Sequence, residues 1–328
     1  MKVLVTGGAG YIGSHTVGLL RARGDQVVVL DTLELGYREA IGDTPIVVGN
    51  TRDEELVRKV LREHGIEAVI HFAAYKAAGE SVGNPGKYFD NNVFGSLKLL
   101  EAMRHEGVKR FVFSSTAAVY GNPEVLPVVE TATLRPENPY GESKLQVERM
   151  LPWFDQAFGL KSVALRYFNA AGAVQDGSIG EDPRYVTNLI PVVMKAATGR
   201  APTIKVFGTD YPTPDGTCIR DYIHVLDLAD AHLKALDFLV AGNKSDIFNL
   251  GTGKGASVKE VLAAATAAAG KPIPTEFAPR RPGDPVSVYA DNAKARTLLK
   301  WTPKYALKEI VDSAWKWHSS HPDGFRTT

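Results

Sequence analysis

The sequence predicts a doubly wound α/β fold: a parallel sheet with helices on both faces, followed by a smaller, mixed C-terminal unit. Short β-branched runs alternate with longer amphipathic segments from residue 2 to residue 166, the pattern of successive βαβ crossovers. Runs such as Val27-Val28-Val29-Leu30 and Ala68-Val69-Ile70-His71-Phe72 are apolar almost throughout, as strands covered on both faces require. The first run also passes straight into glycines before the first helical segment. In order, strands are expected at 2–6, 26–30, 68–72, 110–114 and 162–166, and helices at 11–23, 53–64, 86–106 and 140–158. Pro139 suits the first turn of the last helix, where its missing N–H leaves no gap. Beyond Asn169 the alternation degrades, and irregular Gly- and Pro-containing pieces dominate 172–188, 208–217 and 271–287. Long loops in a compact fold are commonly functional, so these are expected to wall a substrate cleft.

Composition narrows the class. The 328 residues amount to about two lobes at roughly 150 residues each. The 38 Lys+Arg against 37 Asp+Glu leave +1, so no global field steers the chain onto nucleic acid or an anionic membrane, and neither partner is expected. The single cysteine, Cys218, excludes an intramolecular disulfide and a cysteine-based zinc site and fits a reducing compartment. The first residues lack a signal-peptide pattern, and the alanine-rich stretch 261–269 falls far short of the ~20 residues of a membrane span. A cytoplasmic protein is expected. The eight histidines show no metal-ligand spacing, and no metal is expected.

Chemistry enters at Thr6-Gly7-Gly8-Ala9-Gly10-Tyr11-Ile12-Gly13. Glycine there lets the backbone turn tightly and approach a diphosphate, while the next helix offers free N–H groups and a partial positive end. Asp31, eighteen residues after Gly13, closes the second strand, where a carboxylate can accept both hydroxyls of an adenosine ribose. At about 5 Å it would repel each unit charge of a 2′-phosphate by roughly 3 kcal/mol at an effective dielectric near 20. Thr32 and Leu33 follow it in place of an arginine, so the expected cofactor is NAD and the expected sheet Rossmann-like.

Asn138-Pro139-Tyr140-Gly141-Glu142-Ser143-Lys144 gives a second signal, because Tyr140 and Lys144 share a helix face one turn apart. A phenol of pKa about 10 must lose roughly 3 units, or ~4 kcal/mol, to act as a base near neutrality. A neighbouring ammonium and a positive nicotinamide can supply this. Alone, such a pair is a common coincidence. The strand at 110–114 then runs into Ser115-Thr116-Ala117-Ala118 at the carboxyl end of the sheet, where open α/β folds bind ligands, so Thr116 is the hydroxyl expected to face substrate.

These blocks, in this order and spacing, resemble the extended short-chain dehydrogenase/reductase family. Blocks at 71–82, 90–93, 166–172, 220–227 and 278–284 extend the resemblance nearly end to end, toward its branch acting at carbon 4 of UDP-hexoses. The resemblance implies that NAD is held by Gly7, Gly10, Tyr11, Ile12, Gly13, Asp31, Thr32, Asn50, Thr51, Phe72, Ala73, Ala74, Lys76, Asn91, Tyr140, Lys144 and Phe168. It makes Tyr140 the base, Lys144 its electrostatic partner and Thr116 the hydroxyl bonded to the reacting sugar. It places further UDP-sugar contacts at Asn169, Asn188, Leu189, Lys205, Val206, Phe207, Arg220, Arg281 and Asp284. The two arginines suit a diphosphate, whose oxygens guanidinium forks bind in pairs. It assigns 1–168, completed by about 221–253, to NAD, and 169–220 with 254–328 to the UDP-sugar. The implied reaction is reversible epimerisation of UDP-galactose and UDP-glucose through a transient 4-keto sugar, with bound NAD holding the hydride in between. A homodimer through the 86–106 and 140–158 helices is implied as well.

Departures from the family pattern carry information. In Gly49-Asn50-Thr51-Arg52-Asp53, Asn50 stands where many relatives have aspartate, so the adenine contact falls to an amide, which can both donate and accept. Thr116 replaces a serine of other members. Val288 stands where some carry a bulkier tyrosine, leaving room for an N-acetyl group, a hypothesis tested by turnover of UDP-N-acetylglucosamine. A 4,6-dehydratase needs an acid/base pair directly after the threonine, and this chain has Ala117-Ala118. A UDP-glucuronate epimerase or decarboxylase stays open, because a carboxylate-binding arginine leaves no mark in sequence. A non-catalytic dinucleotide sensor would have no use for Tyr140 beside Lys144. His71 and His224 read as packed residues, and Trp153, Phe154 and Phe158 as core or a subunit contact.

Overall fold

The computed structural model describes residues 1–281 and 284–325. Pro282 and Gly283 of the 278–284 block and the end of the 254–328 segment lie outside the described residues. The alternating half comprises β1 (Lys2–Thr6), α1 (Tyr11–Ala22), β2 (Gln26–Asp31), β3 (Ile46–Val48), α2 (Glu54–Glu63), β4 (Ala68–His71), α3 (Ala78–Gly83), α4 (Pro85–Tyr88), α5 (Gly95–His105), β5 (Arg110–Ser114), α6 (Pro139–Phe158) and β6 (Lys161–Tyr167). It is followed by β7 (Asn169–Ala171), α7 (Leu189–Ala197), β8 (Ile204–Phe207), β9 (Ile219–Arg220), β10 (Tyr222–His224), α8 (Val225–Val240), β11 (Asp246–Leu250), β12 (Ala256–Ser257), α9 (Val258–Ala269), β13 (Thr275–Ala278), β14 (Ser287–Val288), α10 (Ala293–Leu298) and α11 (Leu307–Ser320).

Among the described residues, seven strands form one parallel sheet in the order β11-β6-β5-β4-β1-β2-β3. Val5 pairs with Val29 on one side and Ile70 on the other. The strand order reverses at β1, which opens a crevice above the carboxyl ends of β1 and β4. Strand alternation sorts the core: Val3 and Val5 pack with Val17 and Leu20 of α1 and Leu228 and Leu236 of α8. Leu4 packs on the opposite face with Leu61 of α2, Leu99 and Met103 of α5 and Val147 of α6. Each fully buried side chain of this kind contributes about 1.5–3 kcal/mol of transfer free energy.

The helix expected over 86–106 is present but rephased: between α4 and α5 the stretch Phe89–Phe94 is π-helical. Such a turn inserts a residue and re-aims side chains, and it carries Asn91 and Asn92. The smaller half packs α7, α9 and α11 through Val193, Val261 and Ile310. Short ladders β10-β7, β12-β9-β14 and β13-β8 sit beside them.

Candidate dinucleotide and sugar site

The turn from β1 into α1 accepts only glycine at two positions. A Cβ on Gly7, whose φ is +70°, would stand 2.5 Å from the Ala73 nitrogen, and one on Gly13 would stand 2.2 Å from the Gly7 carbonyl oxygen. α1 starts without a side-chain cap and without an acidic residue in its first turn, which leaves its N-terminus available to an anion. Asp31 ends β2 beside this loop; its carboxylate accepts from the Ala9 N–H at 3.0 Å and the Leu33 N–H at 2.9 Å. Burial pushes its pKa up, partly offset by these N–H groups. Each oxygen keeps acceptor capacity for a ribose hydroxyl.

One pocket gathers Gly7, Gly10, Tyr11, Ile12, Gly13, Asp31, Thr32, Asn50, Thr51, Phe72, Ala73, Ala74, Lys76, Asn91, Tyr140 and Lys144. Phe168 is the exception: it packs against the Val119, Tyr120 and Val128 cluster and is no wall of this pocket. Asn50 is engaged locally, its side-chain oxygen accepting from the Arg52 N–H at 2.9 Å. The π turn has a positioning role that the sequence did not reveal. Asn92, buried beneath it, accepts from the Tyr75 N–H at 2.9 Å, donates to the Tyr75 carbonyl at 3.0 Å, and bonds Ser143 of α6 at 3.0 Å. It thereby splices the loop bearing Lys76 to the helix bearing Tyr140.

α6 begins at Pro139 with Asn138 as its cap, whose side chain accepts from the Gly141 N–H at 2.9 Å. A Cβ on Gly141 would lie 2.7 Å from the Ala118 carbonyl, so this turn seats directly on the segment after Thr116. The Thr116 hydroxyl accepts from the Ala118 N–H at 3.1 Å and acts on the Tyr140 phenol. Burial raises the Tyr140 pKa, while Thr116 and the Lys76 charge pull it back. Lys76 is a charge that the sequence reading assigned to the dinucleotide and not to this phenol. Lys144 donates to the Ser114 carbonyl at 2.9 Å, and burial drops its pKa from 10.5 to about 7, partly countered by Glu148. One turn further along α6, Glu148 forms a fully buried ion pair with Arg166 of β6 and accepts from Ser115, and Arg166 also donates to the Tyr120 hydroxyl at 2.8 Å.

None of the residues expected to contact the UDP-sugar lines that pocket. Arg220, on β9, donates to the Ile219 and Pro285 carbonyls at 2.9 Å each and lies 3.7 Å from Asp284. Arg281 bonds the same Asp284 at 2.9 Å and lies over the Phe207 ring at 4.6 Å, so these four residues form one cluster. Asn169 donates to the Asp221 carbonyl at 2.9 Å, and Asn188 precedes α7 without a side-chain capping bond. Leu189 packs on the small core. On β8, Lys205 is exposed while Val206 is buried with Tyr211 and Cys218, so a ligand could meet Val206 only through its backbone. His71 is buried between Thr6 at 2.6 Å and Ser96 at 2.9 Å, and His224 caps α8, bearing out packed roles. Pocket walls absent from the sequence reading are Glu34, Tyr37, Tyr75, Tyr167, Glu181 and Phe325, among others. Of these, Tyr75 and Tyr167 fell in recognised blocks, without a role assigned to either.

A sheet crevice with a glycine loop, a carboxylate closing the second strand and a phenol among ammonium groups defines a dinucleotide-binding α/β protein equipped for proton transfer. The chain belongs to the NAD dependent epimerase/dehydratase family, whose profile matches residues 3–251. It is 51% identical over 328 residues to a UDP-glucose 4-epimerase of Halalkalibacterium halodurans, a match covering 100% of this chain and 98% of the relative. Among solved structures it is similar to the UDP-glucose 4-epimerase from Brucella ovis in complex with NAD, with TM-score 0.95, 44% identity and 97% and 98% of the two chains covered. It is similar also to the Bifidobacterium longum UDP-glucose 4-epimerase in complex with NAD+ and UDP, with TM-score 0.92, 42% identity and 99% and 100% covered.

Proposed function

We propose that this protein is an NAD-dependent isomerase that inverts carbon 4 of a UDP-hexose, interconverting UDP-galactose and UDP-glucose. The observation that carries the reading is Tyr140, in the wall of the dinucleotide pocket, with the Thr116 hydroxyl and the Lys76 charge acting on its phenol. The pocket fits NAD: the glycine positions keep Cβ atoms out of the loop, α1 opens uncapped, and the Asp31 carboxylate beside the loop keeps acceptor capacity for a ribose. Bound NAD supplies a reversible hydride acceptor for carbon 4, so that no net oxidation results. Tyr140 takes the proton of the 4-hydroxyl and later returns it. Lys76 and Lys144 stabilise its phenolate, and Thr116 orients the sugar hydroxyl. Arg220 and Arg281 grip the diphosphate while the hexose stays free to turn, so binding energy is spent on the nucleotide. Residues 1–168 with about 221–253 serve the cofactor, and 169–220 with 254–328 the UDP-sugar. Incubating the purified protein with UDP-galactose and no added NAD should yield UDP-glucose; a protein that holds NAD yet forms none would overturn the reading.

Finer points rest on separate observations. A homodimer is supported by apolar side chains left exposed on the outer helices: Trp153 is 69% and Phe94 44% exposed, whereas Phe154 is buried. Sedimentation tests this. A cytoplasmic location is supported by the lone, unpaired Cys218. Val288 packs in one cluster with Ala117 and Phe168, next to Thr116, and its small side chain supports turnover of UDP-N-acetylhexosamines.

A further inference from the structure

Two segments close one side of the dinucleotide pocket: residues 180–185, within the irregular stretch 172–188, and the described end of the chain at Phe325. Both are anchored. The Trp317 indole N–H donates to the Glu181 carbonyl at 2.8 Å, and a Cβ on Gly180 would stand 2.3 Å from the Trp317 ring. Phe325 packs on Trp317 at 4.8 Å and stacks on Tyr37 at 5.4 Å. Arg184, gripped by Asp182 through two bonds, lies over the same Tyr37 ring at 4.9 Å. Tyr37 in turn donates its N–H to the Ala9 carbonyl of the glycine loop at 2.9 Å. Across the pocket, the Glu181 carboxylate, 8% exposed, accepts from Lys76 at 2.8 Å.

We propose that residues 180–185 and Phe325 form a clamp over bound NAD, latched by the Lys76–Glu181 ion pair, and that this clamp sets how long the dinucleotide stays on the protein. The inference rests on the NAD reading of the same pocket. An ammonium has three N–H donors, so Lys76 can hold Glu181 and still offer two to a diphosphate. Departure of the dinucleotide then requires parting an ion pair whose carboxylate is buried and unstacking Phe325 from Tyr37. The proposed reaction returns the cofactor to its starting form within each turnover. A clamp therefore costs no catalytic speed here, whereas an enzyme that exchanges its dinucleotide every cycle would stall.

The test measures NAD release from purified holoenzyme, by absorbance of acid extracts after timed gel filtration, for the wild type, Glu181→Gln, Phe325→Ala and Phe325→Tyr. Release should quicken about tenfold or more in Glu181→Gln, which breaks the ion pair of a buried carboxylate, and about threefold in Phe325→Ala, which removes a stacked ring. Phe325→Tyr should stay near wild type, and activity lost by the fast-releasing variants on dilution should return with added NAD. Phe325 lies at the end of the described chain, so its variants decide the question even if Glu181→Gln does not fold. Unchanged release in Phe325→Ala overturns the clamp. So does slower release from Glu181→Gln, which would mean that Glu181 competes with the diphosphate for Lys76. A wild type that takes up no dinucleotide overturns the cofactor reading instead, a separate and distinguishable result.

Discussion

Lys144, beside the reacting phenol, and the two arginines expected to grip the diphosphate hold their positive charges differently. On the dinucleotide side, Lys144 faces the Ser114 carbonyl, with Glu148 committed to Arg166. On the sugar side, Arg220 and Arg281 both lean on Asp284. The first arrangement preserves a positive potential where a phenolate must form, in a site already desolvated. The second gives each arginine a carboxylate acceptor that an arriving diphosphate can replace, which suits a ligand that comes and goes.

The contrast can be broken at several points. Tyr140→Phe should remove the phenol on which Thr116 acts and cut kcat by about 10²–10⁴-fold or more, measured by UDP-glucose formation, with bound NAD still present in the extract. Arg220→Ala should raise KM for the UDP-sugar about ten- to a hundredfold, the loss expected for a charged hydrogen bond, while NAD content is unchanged. Parallel loss of NAD would merge the two halves. The pH behaviour of the empty protein isolates Lys144. Its folded pKa of about 7 lies below the ordinary 10.5, so between these values the unfolded chain binds the extra proton and stability rises with pH. Lys144→Met should flatten that part of the slope of urea midpoints between pH 7 and 10. Val288→Tyr, the smallest change, should cost turnover of UDP-N-acetylglucosamine while leaving UDP-galactose turnover within about threefold, as expected for filling space in a pocket.

What the sequence disclosed follows from how far each residue's partner lies along the chain. Gly7, Gly13 and Asp31 act within one βαβ unit, and Tyr140 with Lys144 within one helical turn, so spacing alone exposed them. β3 escaped because it is a short edge strand, and β11 because it returns to the sheet from beyond the irregular region. The π turn at 89–94 left the helical pattern intact while shifting which residues face inward. Glu181 and Phe325 meet Lys76 and Tyr37 only through tertiary packing, across 105 residues in the first case. No local periodicity marks such a meeting.

Tyr140, Lys144 and Glu148 succeed one another at single-turn intervals along α6, and the innermost is bolted to the sheet through Arg166. The helix thus behaves like a shaft with a key: it cannot roll without shearing a sealed ionic lock. Damage at Glu148 would therefore mis-aim the reacting end from about two turns away and idle the catalyst without altering a single atom that touches sugar.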